Sequence, residues 1–220
     1  MITDKYKVIE TSDGSSSVFD SQFGENFHST HGAIAESMHV FIQNGLKLIN
    51  SNEIKILEIG FGTGLNCLLT ILNKEESQNV IYHTLEKFPL NNEHISLLNY
   101  SKLLNITSEL FQKISNAEWG IECDIADKFH LKKINIDLLE FNSEELYDII
   151  YFDAFSTNTQ PELWTNEIFA KMFFNLKTNR ILTTYSAKGD VKRALRNAGF
   201  EVFRIKGPIG KRHILRALKR

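Results

Sequence analysis

The chain has 220 residues, 42% apolar and 24% charged, with a net charge of −2. That size and balance suit one domain with a modest appendage, and exclude a disordered chain or a peptide-sized scaffold. Two cysteines, Cys67 and Cys123, exclude a disulfide framework and, without a CxxC pair, speak against a structural zinc site. No apolar run approaches the ~18 residues of a membrane helix, and the first ten residues lack an apolar signal core. A soluble cytoplasmic protein without a membrane partner is expected.

The charge is unevenly placed. Residues 188–220 carry 11 Lys/Arg and 2 acids, whereas residues 1–187 carry 14 Lys/Arg and 25 acids. A basic end on an acidic body points to one face made for a polyanion.

In chain order, Tyr6–Glu10 and Ser17–Asp20 flank the turn sequence Ser12-Asp13-Gly14-Ser15, which predicts a hairpin. Helical spacing of Ile34, Met38, Phe41, Ile42 and Leu46 predicts one helix over 33–48. A strand follows at Lys55–Ile59, a glycine turn at Gly60–Gly64 and a helix at Leu65–Leu72. The next strand is Val80–Leu85, ending at Glu86, with helical stretches over 89–112. Strands are expected near Trp119–Cys123 and at Ile134–Leu139. Asp148–Phe152 is a clear strand that ends at Asp153. Pro161–Leu176 reads as a helix, Arg180–Thr184 as a strand, 188–198 as a helix and Glu201–Ile205 as a strand. A turn at Gly207–Gly210 leads to a last strand, His213–Ala217.

Alternating strands and helices imply an α/β fold with a parallel sheet covered on both faces. The last two strands are joined by a short loop and must be antiparallel. That ending belongs to the class I S-adenosylmethionine-dependent methyltransferase (Rossmann-like) fold, with a mostly parallel seven-stranded sheet and an antiparallel C-terminal strand. A plain dinucleotide-binding domain lacks it. Residues 1–50 are read as an extension of hairpin and helix packed on a methyltransferase domain over 51–220.

Glu58-Ile59-Gly60-Phe61-Gly62-Thr63-Gly64 follows the first strand of the core. Glycines there let the backbone turn sharply and approach a ligand. A GxGxxG fingerprint fails, because Leu65 and Cys67 stand where its last glycine belongs. The GxGxG spacing, with an acid two residues before it, resembles motif I of S-adenosylmethionine-dependent methyltransferases. On that reading Glu58, Gly60, Phe61, Gly62, Gly64 and Asn66 surround the methionine part of the cofactor. Glu86, followed by Lys87, ends the second strand, where a carboxylate can take both ribose hydroxyls. Asp124 or Asp127 is expected at the adenine amino group. Asp153 ends the fourth strand of the parallel core, where ligands of open α/β sheets bind.

Several stretches together resemble one family. They are Leu57–Asn66, Tyr151–Ser156, Gln160–Trp164, Thr184–Gly189, Gly207–Arg212 and His28–Ala33. They are similar to the MnmD family, stand-alone relatives of the methyltransferase half of bifunctional MnmC. Thr157, Ser186 and Ile209 depart from the family's usual proline, cysteine and proline. The resemblance implies S-adenosyl-L-methionine as cofactor and tRNA as partner, engaged at its anticodon region. The implied acceptor is the exocyclic amine of 5-aminomethyl-(2-thio)uridine at the wobble position. It also implies that the oxidase half of MnmC is not in this chain, which is read as a monomer. Asp153 is then the catalytic residue that holds the amine. Phe155 and Tyr185 are expected to flank the target base, with Trp164 either there or in the core. Lys188, Lys211 and Arg212 are expected on phosphates. His28 and His31 order the N-terminal segment over the cofactor with support from Glu36, and no metal is expected. The competing readings are a class I methyltransferase with another amine acceptor, a non-catalytic RNA-binding protein with a retained pocket, and an NAD oxidoreductase, which the failed fingerprint opposes.

Overall fold

The computed structural model describes residues 5–220. The first four residues of the expected extension, part of the stretch read as lacking a signal core, lie outside the described residues. Among the described residues no helix is long and apolar enough to cross a membrane.

The hairpin forms at its turn sequence. Strands β1 (Tyr6–Glu10) and β2 (Ser16–Asp20) pair antiparallel, with Tyr6 opposite Asp20. The Asp13 carboxylate accepts the Ser15 amide at 3.0 Å and so closes the connection. A third strand absent from the sequence reading, β3 (Glu25–Asn26), pairs with β2. The single helix expected over 33–48 divides into α1 (Ala33–Ser37), a wide π-type turn over Met38–Gln43 and a 3-10 turn over Leu46–Leu48. Gly45 is the breaking point. A Cβ there would lie 2.2 Å from the Phe41 carbonyl oxygen, so the chain turns back on itself where only glycine fits.

The central sheet holds β4 (Glu53–Ile59), β5 (Asn79–Glu86), β6 (Glu122–Ala126), β7 (Phe129–Asn135), β8 (Tyr147–Phe152), β9 (Leu176–Thr184), β10 (Glu201–Lys206) and β11 (His213–Lys219). Its order is β10-β11-β9-β8-β4-β5-β7-β6. The five strands from β9 to β7 run parallel, and β11 is antiparallel to both β9 and β10. This is the class I methyltransferase arrangement, with an eighth strand, β6, antiparallel on the far edge.

The third parallel strand is β7, so the strands expected at 119–123 and 134–139 were displaced. Two features hide it. Lys133 sits mid-strand yet is 2% exposed, which breaks the apolar pattern. The β6–β7 turn has no glycine; Lys128 takes the left-handed conformation at φ 51°. The expected helix over 161–176 also divides. A 3-10 turn over Pro161–Trp164 gives way to α6 (Asn166–Asn175), because Thr165 stays extended and its side chain accepts the Ile168 amide as an N-cap.

Helices α2 (Leu65–Asn73), α3 (Asn92–Ser96), α4 (Tyr100–Leu103), α5 (Ser108–Asn116), α6 and α7 (Gly189–Asn197) surround the sheet. Two cores result, one on each face. Alternation along β4 feeds both: Ile56 packs with Leu68, Tyr82 and Tyr151, while its neighbour Leu57 packs with Ile150, Phe152 and Phe169. Each such side chain stabilises the fold by about 1.5–3 kcal/mol on burial. Val18, Ala33, Val40 and Phe41 of the first 50 residues belong to the first core. The parallel strands carry all their carboxyl ends to one edge, and the site lies there.

Candidate active site

The strand ends are stitched together by the backbone. The Gly60 amide donates to Leu85 O, and the Asp153 amide donates to Ile59 O, both at 2.9 Å. Gly60 has φ 89°, and a Cβ on it would lie 2.6 Å from the Asp153 carbonyl oxygen. Glycine is therefore required for the β4 and β8 loops to touch. Gly62, at φ 52°, lies against the Phe27 ring, 3.0 Å from where its Cβ would be. Gly64 turns the chain into α2 and does not line the cavity.

A cavity of about 320 Å³ opens at this edge. Gly60–Gly62, Glu86–Phe88, Ile136–Leu138, Asp153–Phe155 and Tyr185 form its floor and walls. Residues 25–30, Glu36 and Lys211 cover it.

At one end the Glu86 carboxylate accepts the amides of Gly62 (3.0 Å) and Phe88 (2.8 Å). Burial raises its pKa, and these amides pull it back only in part. Lys87 Nζ lies 2.6 Å from the Asp137 carboxylate. Asp124 and Asp127, expected at the adenine, do not line the cavity. Asp124 is on edge strand β6, with its carboxylate on His130 Nδ1. The displaced strand explains this: the loop after β7 carries Asp137 into the cavity instead. Its signal was legible, since Asp137 follows its strand as Glu86 and Asp153 close theirs.

At the centre, Asp153 Oδ2 accepts from Asn66 Nδ2 at 2.8 Å. Burial pushes the Asp153 carboxyl up to about 7; Glu36 adds to the rise, and Asn66 and Lys211 oppose it. Glu58 and Asn66 stand behind the wall and do not line the cavity. Glu58 is fully buried and accepts from Thr84 Oγ1 at 2.7 Å. Burial pushes it up to about 8.

At the other end, Tyr185 donates its hydroxyl to Ala154 O at 2.9 Å, and Lys211 Nζ sits 4.1 Å from its ring centroid. Lys211 also pairs with Glu36, so it faces the cavity rather than outer solvent. The Phe155 ring packs between Phe23 (5.1 Å) and Phe27 (5.0 Å). Trp164 is buried against Phe152 and Phe169, and its Nε1 donates to Phe155 O at 2.8 Å. It is thus a core residue that also anchors the loop after Asp153.

Glu25, missed by the sequence reading, clasps that loop. Its carboxylate accepts from Ser156 N, Ser156 Oγ and Thr159 Oγ1. No sequence motif marks it, because the partners are some 130 residues apart. His28 lines the cavity, and burial lowers it to about 4, so it is neutral at pH 7. His31 lies over Gly210, with a ring atom 2.1 Å from the place of a Cβ there. The N-terminal segment therefore reaches the Gly207–Arg212 loop. Lys188 Nζ contacts the Thr157 and Asn158 side chains of the loop that follows Asp153, and Arg212 is exposed.

Residues 102–220 match the family described as S-adenosyl-L-methionine-dependent methyltransferase. Over 212 residues the chain is 30% identical to the tRNA 5-methylaminomethyl-2-thiouridine biosynthesis bifunctional protein MnmC of Leptospira interrogans. That match covers 88% of this chain and 32% of the relative, so the chain spans about a third of the length of the curated relatives it matches. Among solved structures, MnmC2 from Aquifex aeolicus superposes with a TM-score of 0.76 at 24% identity, covering 99% of this chain and 71% of that one. Spermidine synthase from Thermotoga maritima follows with a TM-score of 0.57 at 14% identity, covering 96% and 72%.

Proposed function

The chain belongs to the S-adenosyl-L-methionine-dependent methyltransferase family, and we propose that it methylates the exocyclic amine of 5-aminomethyl-2-thiouridine, or its unthiolated form, at the wobble position of tRNA. The observation that carries this reading is the place of Asp153, a carboxylate that lines the cavity where β8 ends and is braced by Asn66, so that an amine can be held there; burial pushes its pKa up to about 7. The name of the Leptospira relative supports the acceptor.

The residues fit the cofactor. Gly60 and Gly62 leave room that a Cβ would fill. The Glu86 carboxylate offers the acceptor that ribose hydroxyls need, and its neighbour Lys87 is paired with Asp137 beside it. Ile136, Leu138 and Asp137 offer an apolar slot with a carboxylate for the adenine. Six carboxylates and only two lysines line the cavity, which suits a sulfonium and an alkylammonium. Glu58 and Asn66 support the site from behind through Asp153.

When bound, S-adenosylmethionine supplies an electrophilic methyl group for in-line displacement. The chain must supply a neutral amine in the right place. Asp153 holds the incoming ammonium, takes its proton and leaves the nitrogen lone pair free. A carboxylate near 7 is a better match for that proton than an ordinary one near 4. Tyr185, tied to Ala154 O, keeps the loop after Asp153 in register. Positioning of this kind can supply on the order of 7 kcal/mol. Residues 25–30 and Glu36 of the N-terminal extension act as the cover, and 51–220 as the catalytic domain. A tRNA acceptor implies the cytoplasm.

The test is transfer of labelled methyl to two tRNA pools, read by nucleoside mass spectrometry. One pool carries the aminomethyl wobble uridine, and the other is unmodified transcript. Label confined to the aminomethyl group of the first pool is expected. Label in neither pool, with cofactor binding intact, removes the tRNA acceptor.

A further inference from the structure

We propose that the flank of α7 beside β10, with the exposed residues of β10, is a track for the phosphate backbone of the RNA acceptor, leading to the cavity rim. The inference rests on the RNA reading above and deepens it by naming the surface.

Lys188, Lys192 and Arg196 stand at i, i+4 and i+8, so they form one row along α7, about 12 Å long at 1.5 Å per residue. The row begins at the rim. Lys188 holds Thr157 and Asn158 of the loop that follows Asp153. Beside it, Val202 of β10 packs in the core with Val191 and Leu195 of α7. Strand alternation puts Arg204 and Lys206 on that same face, and both are exposed. Parallel alignment with β9 puts Lys206 nearer the cavity edge than Arg204.

The row is crowded with like charge. Arg196 first, and Arg204 more weakly, lower the pKa of Lys192. Two acids are close in sequence, and neither offsets the row. Asp190 points to the other flank of α7, where its carboxylate accepts the Val191 amide. Glu201 pairs with Arg220 at the far end of β10. Among the described residues Lys192, Arg196, Arg204 and Lys206 have no carboxylate partner, and a surface that keeps such cations together at a cost in repulsion fits a polyanion. An RNA backbone is favoured over an acidic protein because the row is linear and ends at the site where a nucleotide is methylated.

The experiment compares the whole chain with the triple variant Lys192→Gln/Arg196→Gln/Arg204→Gln. The control is Lys102→Gln/Lys113→Gln, exposed lysines of α4 and α5. Binding of tRNA carrying the aminomethyl wobble uridine is measured from 50 to 200 mM salt. S-adenosylhomocysteine affinity and thermal melting report folding. The triple variant should flatten the slope of log K against log salt by about 3, one per lost cation, and weaken binding at least ~10-fold at 100 mM. The control should keep the parent slope. An unchanged slope in a folded triple variant overturns the track and leaves an acidic protein as the partner to seek. If the parent itself binds and methylates no tRNA, the RNA reading fails and the track fails with it. If the parent methylates tRNA and the triple variant keeps its slope, only the track fails.

Discussion

Asn66 joins two acids that sequence places 95 residues apart. Its Nδ2 donates to Asp153 at the cavity, and its side chain also meets Glu58 behind the wall. Glu58 Oε1 and Asn66 Oδ1 are both buried without a partner as bare acceptors. A proton on Glu58 turns one of these bare acceptors into a donor. Burial, which pushes Glu58 up to about 8, favours that proton at neutral pH. Asn66 itself keeps its amide turned to Asp153.

Asp153→Asn should lower methyl transfer by about 10²–10⁴-fold, the usual span for a lost acid–base group. Cofactor affinity should fall much less. In the parent, kcat/KM should rise with pH through about 7, as the free carboxyl loses its proton. Burial sets the midpoint, and Asn66, Glu36 and Lys211, which face the same group, adjust it. A flat pH profile for the parent would contradict the role.

Glu58→Gln should stabilise the chain at pH 8 and not at pH 4. The folded pKa of Glu58 is raised, so the folded state binds more protons than the unfolded one between about 4.5 and 8. Stability from this group is full below that window and is lost as pH rises through it. A neutral amide avoids the loss. Thermal melts of both proteins across pH 4–8 check the sign.

Lys133→Met tests a buried cation that lies over the Phe61 ring of the glycine turn. Lys133 Nζ donates to Ser115 O at 2.7 Å and lies 4.8 Å from the Trp119 ring centroid. Burial lowers its pKa to about 8. Between about 8 and 10.5 the folded chain binds fewer protons here than the unfolded one, so this group makes stability climb with pH. That climb should vanish in the Met variant. At pH 7 the variant loses about 1–3 kcal/mol through the orphaned Ser115 carbonyl, offset by relief of a buried charge. Denaturant unfolding at pH 7 and pH 10 separates the two effects.

Gly60→Ala should abolish cofactor binding more readily than folding. The added Cβ meets the Asp153 carbonyl oxygen at 2.6 Å, and φ 89° is costly for alanine. S-adenosylhomocysteine affinity should drop at least ~10-fold, measured by calorimetry.

Glu25→Ala removes the clasp on Ser156 and Thr159. The loop between Asp153 and Pro161 should loosen. A fall in kcat of about 10-fold with faster proteolysis near Asn158 is expected. Equal protease sensitivity would count against the clasp.

Much of this protein could be read along the chain. Strands such as β4 and β8 carry short runs of β-branched, aliphatic and aromatic residues, Ile56-Leu57 in one and Ile149–Phe152 in the other, and such local patterns do not depend on what packs above them. The acids closing β5 and β8, Glu86 and Asp153, mark the ligand edge, because parallel strands deliver their ends to one side. The short β10–β11 connection dictates the antiparallel ending. Strand β7 escaped because Lys133 is polar in sequence and buried in space, a choice made by the Ser115 carbonyl and the rings around it. With β7 displaced, Asp124 or Asp127 was expected at the site, whereas the acid after β7 that lines the cavity is Asp137. Lys211 reads as a surface cation, yet Glu36 and Tyr185 draw it into the cavity. Glu25 and the role of Glu58 were out of reach for the same reason: local pattern records which face a residue takes, and only tertiary packing brings distant polar atoms within hydrogen-bond range and removes the water that sets their ordinary pKa.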